Sequence, residues 1–335
     1  MMIAPRFPGL ARACLRRDLP LTLLFVFASL AWAAPVPTER ITLPSLDRDA
    51  AGRPVAITAL FFRPPQVPAG ASVPLVVALH GCGGMFSRRP GSETQLSRRF
   101  ALWTQAMLDD GYAVLLPDSF NPRGRREVCT IRSGERTISP AVRRLDALGA
   151  LAFASRLPGV DTARIALVGW SHGGSTTLAA VNGADASVAA YRSQSGEAPW
   201  IRAAVAFYPG CAAALRAGPR WQPAAPVAIH IGELDDWTAA APCVSLGEAR
   251  RGSDPAVTVD VYAGSHHGFD APSGRVVLLS EVPNGVRPGE GVHVGPNPAA
   301  RALVNERVRD YLRRQLQAHG GPQAPQPETS TKGKP

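Results

Sequence analysis

The chain has no paired CxxC, no lasting heptad run, no internal repeat, and no triplet period among its 32 Gly and 32 Pro residues. Zinc-finger arrays, coiled coils and collagen are thereby excluded. Charge is sparse as well, at 19% of 335 residues against 45% apolar and aromatic, which excludes disorder as the main state and leaves material for a large core. Lysine is nearly missing, standing only at Lys332 and Lys334. Eleven arginines fall between Arg88 and Arg144, but they are interspersed with Asp and Glu and lack aromatic interleaving or a reader motif. They read as a solvated face, and no nucleic-acid partner is expected. No H-x-x-x-H pair or Cys/His cluster occurs, so neither a metal site nor a cofactor is expected.

Residues 1–33 read as a removable signal peptide. Arg6, Arg12, Arg16 and Arg17 make a basic start, 19–32 is almost uncharged, and Ala31-Trp32-Ala33 has small residues at the recognition positions. The apolar run is shorter than the ~20 residues a bilayer needs and contains Pro20, so no stable membrane anchor is expected after cleavage. Export follows, to a periplasmic or secreted location. Cleavage removes Cys14 and leaves Cys82, Cys129, Cys211 and Cys243 in an oxidising space, where two disulfides are expected. Three pairings are open from the residues alone.

Past the leader, short apolar runs alternate with helical stretches. The runs are 74–79 (PLVVAL), 112–116, 164–169 (RIALVG), 203–208, 227–231 and 257–262, most of them reading as strands buried on both faces. Helices are expected over 93–109, 140–156, 174–182 and 298–317. This rhythm predicts an α/β fold, a mostly parallel sheet with helices on both faces, in one domain over 34–318. One or two antiparallel strands should lead it, within 41–62. Residues 271–297, rich in Gly and Pro, should be a long irregular excursion, and 319–335 a flexible tail.

The strongest chemical signal is GWSHGG at 169–174, a G-x-S-x-G elbow placed between the strand RIALV and a following helix. Ser171 then sits on a sharp turn whose crowded backbone accepts only small residues two positions to either side. A serine hydroxyl needs a base, and the base needs an anion to hold its tautomer. The order expected after this elbow is acid, then histidine, each beyond a later strand. VAIHIGELDDW delivers Asp235 and Asp236, and VTVDVYAGSHHGFD delivers His266 and His267. Asp235 is preferred as the first carboxylate out of the turn opened by Gly232, and His267 because Gly268 lets its ring turn inward. Activity should rise as His267 loses its proton. The oxyanion would be held by the backbone N–H groups of His172 and of Cys82, in the glycine turn HGCGG. His172 itself, with its ring directed away, is not the base. His80 reads as a structural partner, His230 as a satisfied core residue, and His293, in the late loop, as either bordering the pocket or facing water. Phe86, Trp170, Tyr208 and Trp237 flank these loops and either line an apolar substrate pocket or pack as rim and core.

HGCGG, PDSF with a following RG, GWSHGG, YPGC, GELDDWTAAAPC and YAGSHHGFD together resemble the dienelactone hydrolase family of α/β-hydrolases, over about 74–270. The resemblance implies an eight-stranded, mostly parallel sheet without a large lid and a triad of Ser171, Asp235 and His267. The founding members carry Cys as nucleophile, so Ser171 makes the chain similar to the exported serine members, and ordinary carboxylic esters, small or polymeric, become the expected substrates. The same matches suggest the pairs Cys82–Cys129 and Cys211–Cys243, one bracing the oxyanion turn and the other the acid turn. The rival expectations are a prolyl-oligopeptidase-like serine peptidase and a non-catalytic ligand-binding protein. Nothing in the sequence specifies an oligomeric state.

Overall fold

The computed structural model describes Met1 and residues 35–68, 70–193 and 199–316. The signal peptide and the tail expected at the two ends lie, Met1 apart, outside the described residues. Two strands lead the chain, β1 (Glu39–Arg48) and β2 (Pro54–Phe62), and they pair antiparallel. In β1 burial alternates residue by residue, with Ile41 and Leu43 inward, as an edge strand with one wet face requires. Next come β3 (Val73–Leu79), α1 (Arg98–Asp109), β4 (Ala113–Asp118), α2 (Pro140–Ala154), β5 (Val160–Trp170) and α3 (His172–Ala180). The second half holds α4 (Ala186–Ser193), β6 (Ile201–Phe207), α5 (Ala212–Ala217), β7 (Val227–Gly232), α6 (Ala240–Ala249) and β8 (Val257–Tyr262). A hairpin of β9 (Val277–Leu279) and β10 (Val292–Val294) precedes the closing helix α7 (Pro298–Leu316).

The eight-stranded sheet has the order β1-β2-β4-β3-β5-β6-β7-β8. From β4 onward every neighbouring pair is parallel, and β2 alone runs against the rest. Every residue of β3, β4 and β7 is buried, which explains their unbroken apolar runs: helices cover both faces, and each fully buried Val, Leu or Ile contributes roughly 1.5–3 kcal/mol. The outermost strand β8 is only partly buried. Helix α2 starts at a capped end, where Ser139 Oγ accepts from the Val142 N–H (3.3 Å) and Pro140 fills the first position. It lies tightly over β1, because a Cβ on Gly149 would meet the Pro44 carbonyl oxygen at 2.4 Å.

The expected strands and long helices are present, with three differences. Helix α1 begins at Arg98 rather than 93, and the short helices α4, α5 and α6 have no signal in the sequence pattern, being two or three turns of Ala-rich chain without a long apolar stripe. The excursion over 271–297 is not wholly irregular: its β9–β10 hairpin has strands of three residues, too short to show a period. The hairpin is joined to the body where the Gly295 N–H donates to the His267 carbonyl (3.1 Å) and the Val286 N–H to the Asp236 carbonyl (2.8 Å). No helix among the described residues is long and apolar enough to cross a membrane.

Candidate active site

Strand β5 turns into α3 at Ser171, whose backbone takes φ +54° and ψ −114°, a conformation a non-glycine residue adopts only under constraint. The constraint is visible. The Ser171 N–H donates to the Phe207 carbonyl (2.9 Å), and the elbow is pressed so closely into its surroundings that its glycines have no room for a side chain. A Cβ on Gly169 would lie 2.2 Å from the Gly173 carbonyl oxygen, and one on Gly173 would lie 2.1 Å from that of Leu79. The turn lifts the serine hydroxyl to the carboxyl edge of the sheet, half-exposed, at the N-terminus of α3.

Strands β7 and β8 deliver the other two groups to the same edge. A Cβ on Gly232 would sit 2.2 Å from the Ser265 carbonyl oxygen, and the Leu234 N–H donates to that oxygen (2.9 Å), so the loops after the two strands cross in contact. The Ser171 hydroxyl donates to His267 Nε2 at 2.8 Å, and His267 Nδ1–H donates to Asp235 Oδ2 at 2.8 Å. Asp235 and His267 are both buried. Asp235 Oδ1 accepts from the N–H groups of Trp237 (3.0 Å) and Thr238 (2.8 Å), which leaves Oδ2 aimed at the imidazole. The Thr238 hydroxyl stands 3.1 Å from Oδ2, 3.0 Å from the Tyr208 carbonyl and 3.2 Å from His267 Nδ1. Gly268 follows with φ +72°, which turns the base loop inward.

The glycine turn after β3 lies against the elbow: a Cβ on Gly81 would be 3.5 Å from Ser171 Cβ. Cys82, next along, is bonded to Cys129, and the Val128 N–H donates to the Cys82 carbonyl (2.8 Å). Gly84 takes φ +77° with its α-carbon against the Arg126 carbonyl. The N–H of His172, at the first position of α3, has no carbonyl one turn earlier to bond. The second disulfide joins Cys211, at the start of α5, to Cys243 in α6, directly behind the Asp235 loop.

A buried cation lies behind the turn. Arg143, fully buried, donates through one terminal nitrogen to the His80 carbonyl (2.8 Å) and to His172 Nδ1 (3.0 Å). Burial lowers its pKa to about 10. Burial first and Arg143 second push the His80 and His172 imidazoles well below the ordinary histidine value, so both are neutral. His172 is thereby occupied as an acceptor for Arg143. His80 has the structural role expected, its Nε2 accepting from the Ser119 N–H (3.3 Å).

Of the four aromatic residues, two belong elsewhere than in a pocket wall. Trp170 stacks on Phe207, with ring centroids 5.1 Å apart, and donates to Asp270 (3.0 Å) in the core. Tyr208, also buried, donates its hydroxyl to Asp270 (2.8 Å) and lays its ring 4.5 Å from that of His267. Trp237 remains half-buried, 4.7 Å from the His267 ring, and Phe86 lines a cavity of about 570 Å³ together with Gly83, Gly84 and Arg126. Asp270 is a further residue of the site that the sequence pattern does not mark. It is a buried carboxylate that accepts from Tyr208, Trp103 (3.1 Å) and Trp170, with Arg99 at 3.3 Å, and through Tyr208 it holds the ring that packs on His267. Its only sequence signal is the acid three places after the histidine.

Two histidine expectations need correction. His230 is not fully satisfied: Nδ1 lies 3.0 Å from the Tyr262 hydroxyl and 3.3 Å from Asp260, but its buried Nε2 has no partner among the described residues. His293 does not simply face water, since Nδ1–H donates to Asp236 Oδ2 at 2.7 Å. Residues 236, 266 and 293 also form an Asp/His/His group, which local spacing could not reveal because the hairpin alone brings His293 there.

Solved structures share this fold at low sequence identity. A dienelactone hydrolase-like promiscuous phosphotriesterase from metagenomic libraries matches with a TM-score of 0.58 and 17% identity, covering 84% of this chain and 100% of its own. Esterase 2 of Thermogutta terrifontis matches at 0.51 and 14%, covering 84% and 96%. Dipeptidyl peptidase 4 of Porphyromonas gingivalis matches at 0.56 and 15%, covering 85% of this chain but only 36% of the peptidase. No curated protein matches the sequence closely enough to count as a relative. The family model for the dienelactone hydrolase family matches residues 57–316, and the chain belongs to that family of hydrolases.

Proposed function

We propose that this protein is an exported serine hydrolase that cleaves carboxylic esters through an acyl-enzyme. One observation carries the reading: the unbroken line Ser171 Oγ to His267 Nε2 and His267 Nδ1 to Asp235 Oδ2, each 2.8 Å, on a strained elbow. In the resting state His267 Nε2 accepts a hydrogen bond from the Ser171 hydroxyl, whose proton is the one to be moved. As Ser171 Oγ bonds to the ester carbonyl carbon, that proton passes to Nε2, and Asp235 steadies the imidazolium. The carbonyl oxygen becomes an oxyanion, held by the N–H groups of Cys82 and His172. Collapse of the tetrahedral intermediate expels the alcohol, which takes the proton from Nε2. Water then attacks the acyl-enzyme by the same route, releases the carboxylic acid and restores the serine.

Two disulfides that brace the oxyanion and acid loops support an oxidising compartment, with 1–33 as the removed leader, 34–318 as the catalytic domain and 319–335 as the tail. The small-molecule chemistry of the hydrolase family supports small esters as the substrates. A hydrolysis screen of p-nitrophenyl esters graded in acyl length, with acyl p-nitroanilides alongside and Ser171→Ala as the blank, tests this. Ester turnover that vanishes in Ser171→Ala is expected. Turnover of anilides but not esters, or ester turnover undiminished in Ser171→Ala, would overturn it.

A further inference from the structure

Asp236, His266 and His293 each offer one ligand atom, all within 4.8 Å of one another, although they come from three separate segments. Asp236 follows Asp235 on the acid loop, His266 precedes His267 on the base loop, and His293 lies on β10. Their orientation is set from behind. His266 Nδ1–H donates to the Leu234 carbonyl (3.1 Å), which fixes the tautomer and leaves the Nε2 lone pair free. Histidine ligands of metals are held in this way, with the other ring nitrogen bonded to a carbonyl. Asp236 Oδ1 accepts from the His293 N–H (2.8 Å), directing Oδ2 toward the His293 ring. The His266 and His293 rings lie 5.4 Å apart, tilted by 37°. All three residues are half-buried, so solvent and ions reach them.

We propose that Asp236, His266 and His293 form a site for a divalent transition metal of the zinc class. Two imidazoles and one carboxylate suit zinc, whereas calcium and magnesium require shells of six or more oxygens that these residues do not supply. Three protein ligands leave the fourth tetrahedral position to water. In the ion-free state His293 Nδ1 and Asp236 Oδ2 are held 2.7 Å apart by a proton. Ligands of a tetrahedral zinc lie roughly 3.3 Å apart, so binding through Nδ1 moves the ring proton of His293 to Nε2, keeps the imidazole neutral and opens the pair by about 0.6 Å. The ion would tie the hairpin to both loops that carry the acid and the base. The site does not depend on the ester reading, since metal binding is measured without turnover.

Calorimetric titration of the tag-free, chelator-stripped protein with zinc chloride tests the site. One equivalent of zinc should bind, while magnesium and calcium chlorides give no saturable heat. His266→Ala and His293→Ala should each weaken zinc binding by more than about 100-fold, beyond the 10–100-fold typical of losing an outer-shell partner. His267→Ala should keep zinc affinity within a few-fold of wild type. Circular dichroism checks that each variant is folded, and His293, on the surface hairpin, is the variant least exposed to folding failure. Absence of stoichiometric binding would overturn the proposal, as would wild-type affinity in His266→Ala and His293→Ala, or a loss confined to His267→Ala.

Discussion

Asp235→Asn is the substitution on which the proposed mechanism makes its sharpest demand. Asp235 Oδ1 accepts from two backbone N–H groups, those of Trp237 and Thr238. An asparagine must therefore place its amide oxygen at that position, and its NH₂ group then points at His267 Nδ1. A donor facing Nδ1 forces the imidazole to accept there and to carry its proton on Nε2. Nε2 can then no longer take the proton from Ser171, whose hydroxyl lies 2.8 Å away. The shape of the site is unchanged while the tautomer is wrong. In serine enzymes of this design such a change lowers kcat by about 10⁴-fold, which at about 1.36 kcal/mol per tenfold is about 5.4 kcal/mol of transition-state stabilisation. The assay is kcat on the best p-nitrophenyl ester at neutral pH, with circular dichroism to show an intact fold. A variant within tenfold of wild type would refute the argument, because Asp235 would then not control the tautomer.

Three further outcomes follow from the packing and charge of the site. Gly173→Ala should cost about 3 kcal/mol or more in denaturant unfolding, since its Cβ would meet the Leu79 carbonyl at 2.1 Å; a loss below 1 kcal/mol would mean the elbow can open. Asp270→Ala should cost about 3–5 kcal/mol by leaving Arg99, Tyr208, Trp103 and Trp170 facing an empty acceptor position, and an unchanged unfolding midpoint would show that water replaces it. Stability should also fall with acid. His80 and His172 are held neutral by burial, so below their ordinary value of 6.5 the unfolded chain binds protons that the fold refuses. Each contributes a loss of up to about 1.4 kcal/mol per pH unit as pH drops from 6.5, and stability is full above it. Chemical denaturation at pH 7, 6 and 5 checks this, and a flat profile would contradict it.

Much of the site was legible because its constraints are local. The elbow needs glycines at 169 and 173 for steric reasons that a sequence displays directly, and the parallel strands betray themselves by runs such as PLVVAL that have no wet face. The order serine, acid, histidine then follows from topology. The same logic fails where partners are distant. Asp270 collects donors from Trp103 and Trp170, more than 90 residues away, and no spacing announces it. The sequence leaves Trp170 and Tyr208 between pocket wall and core packing because their neighbours are at the site, and the core reading holds: both side chains turn to Asp270, since a buried carboxylate holds indole and phenol donors in the core. His293 met Asp236 only because a hairpin of two three-residue strands folds back over the acid loop.

The central claim is that Ser171 is activated by His267 toward acyl transfer. Incubation with a fluorophosphonate, followed by intact-mass measurement and peptide mapping, tests it most directly. The account predicts one adduct per chain, on Ser171, absent from Ser171→Ala and greatly slowed in His267→Ala. A wild-type protein that stays unlabelled, or an adduct that maps to another residue, would contradict it.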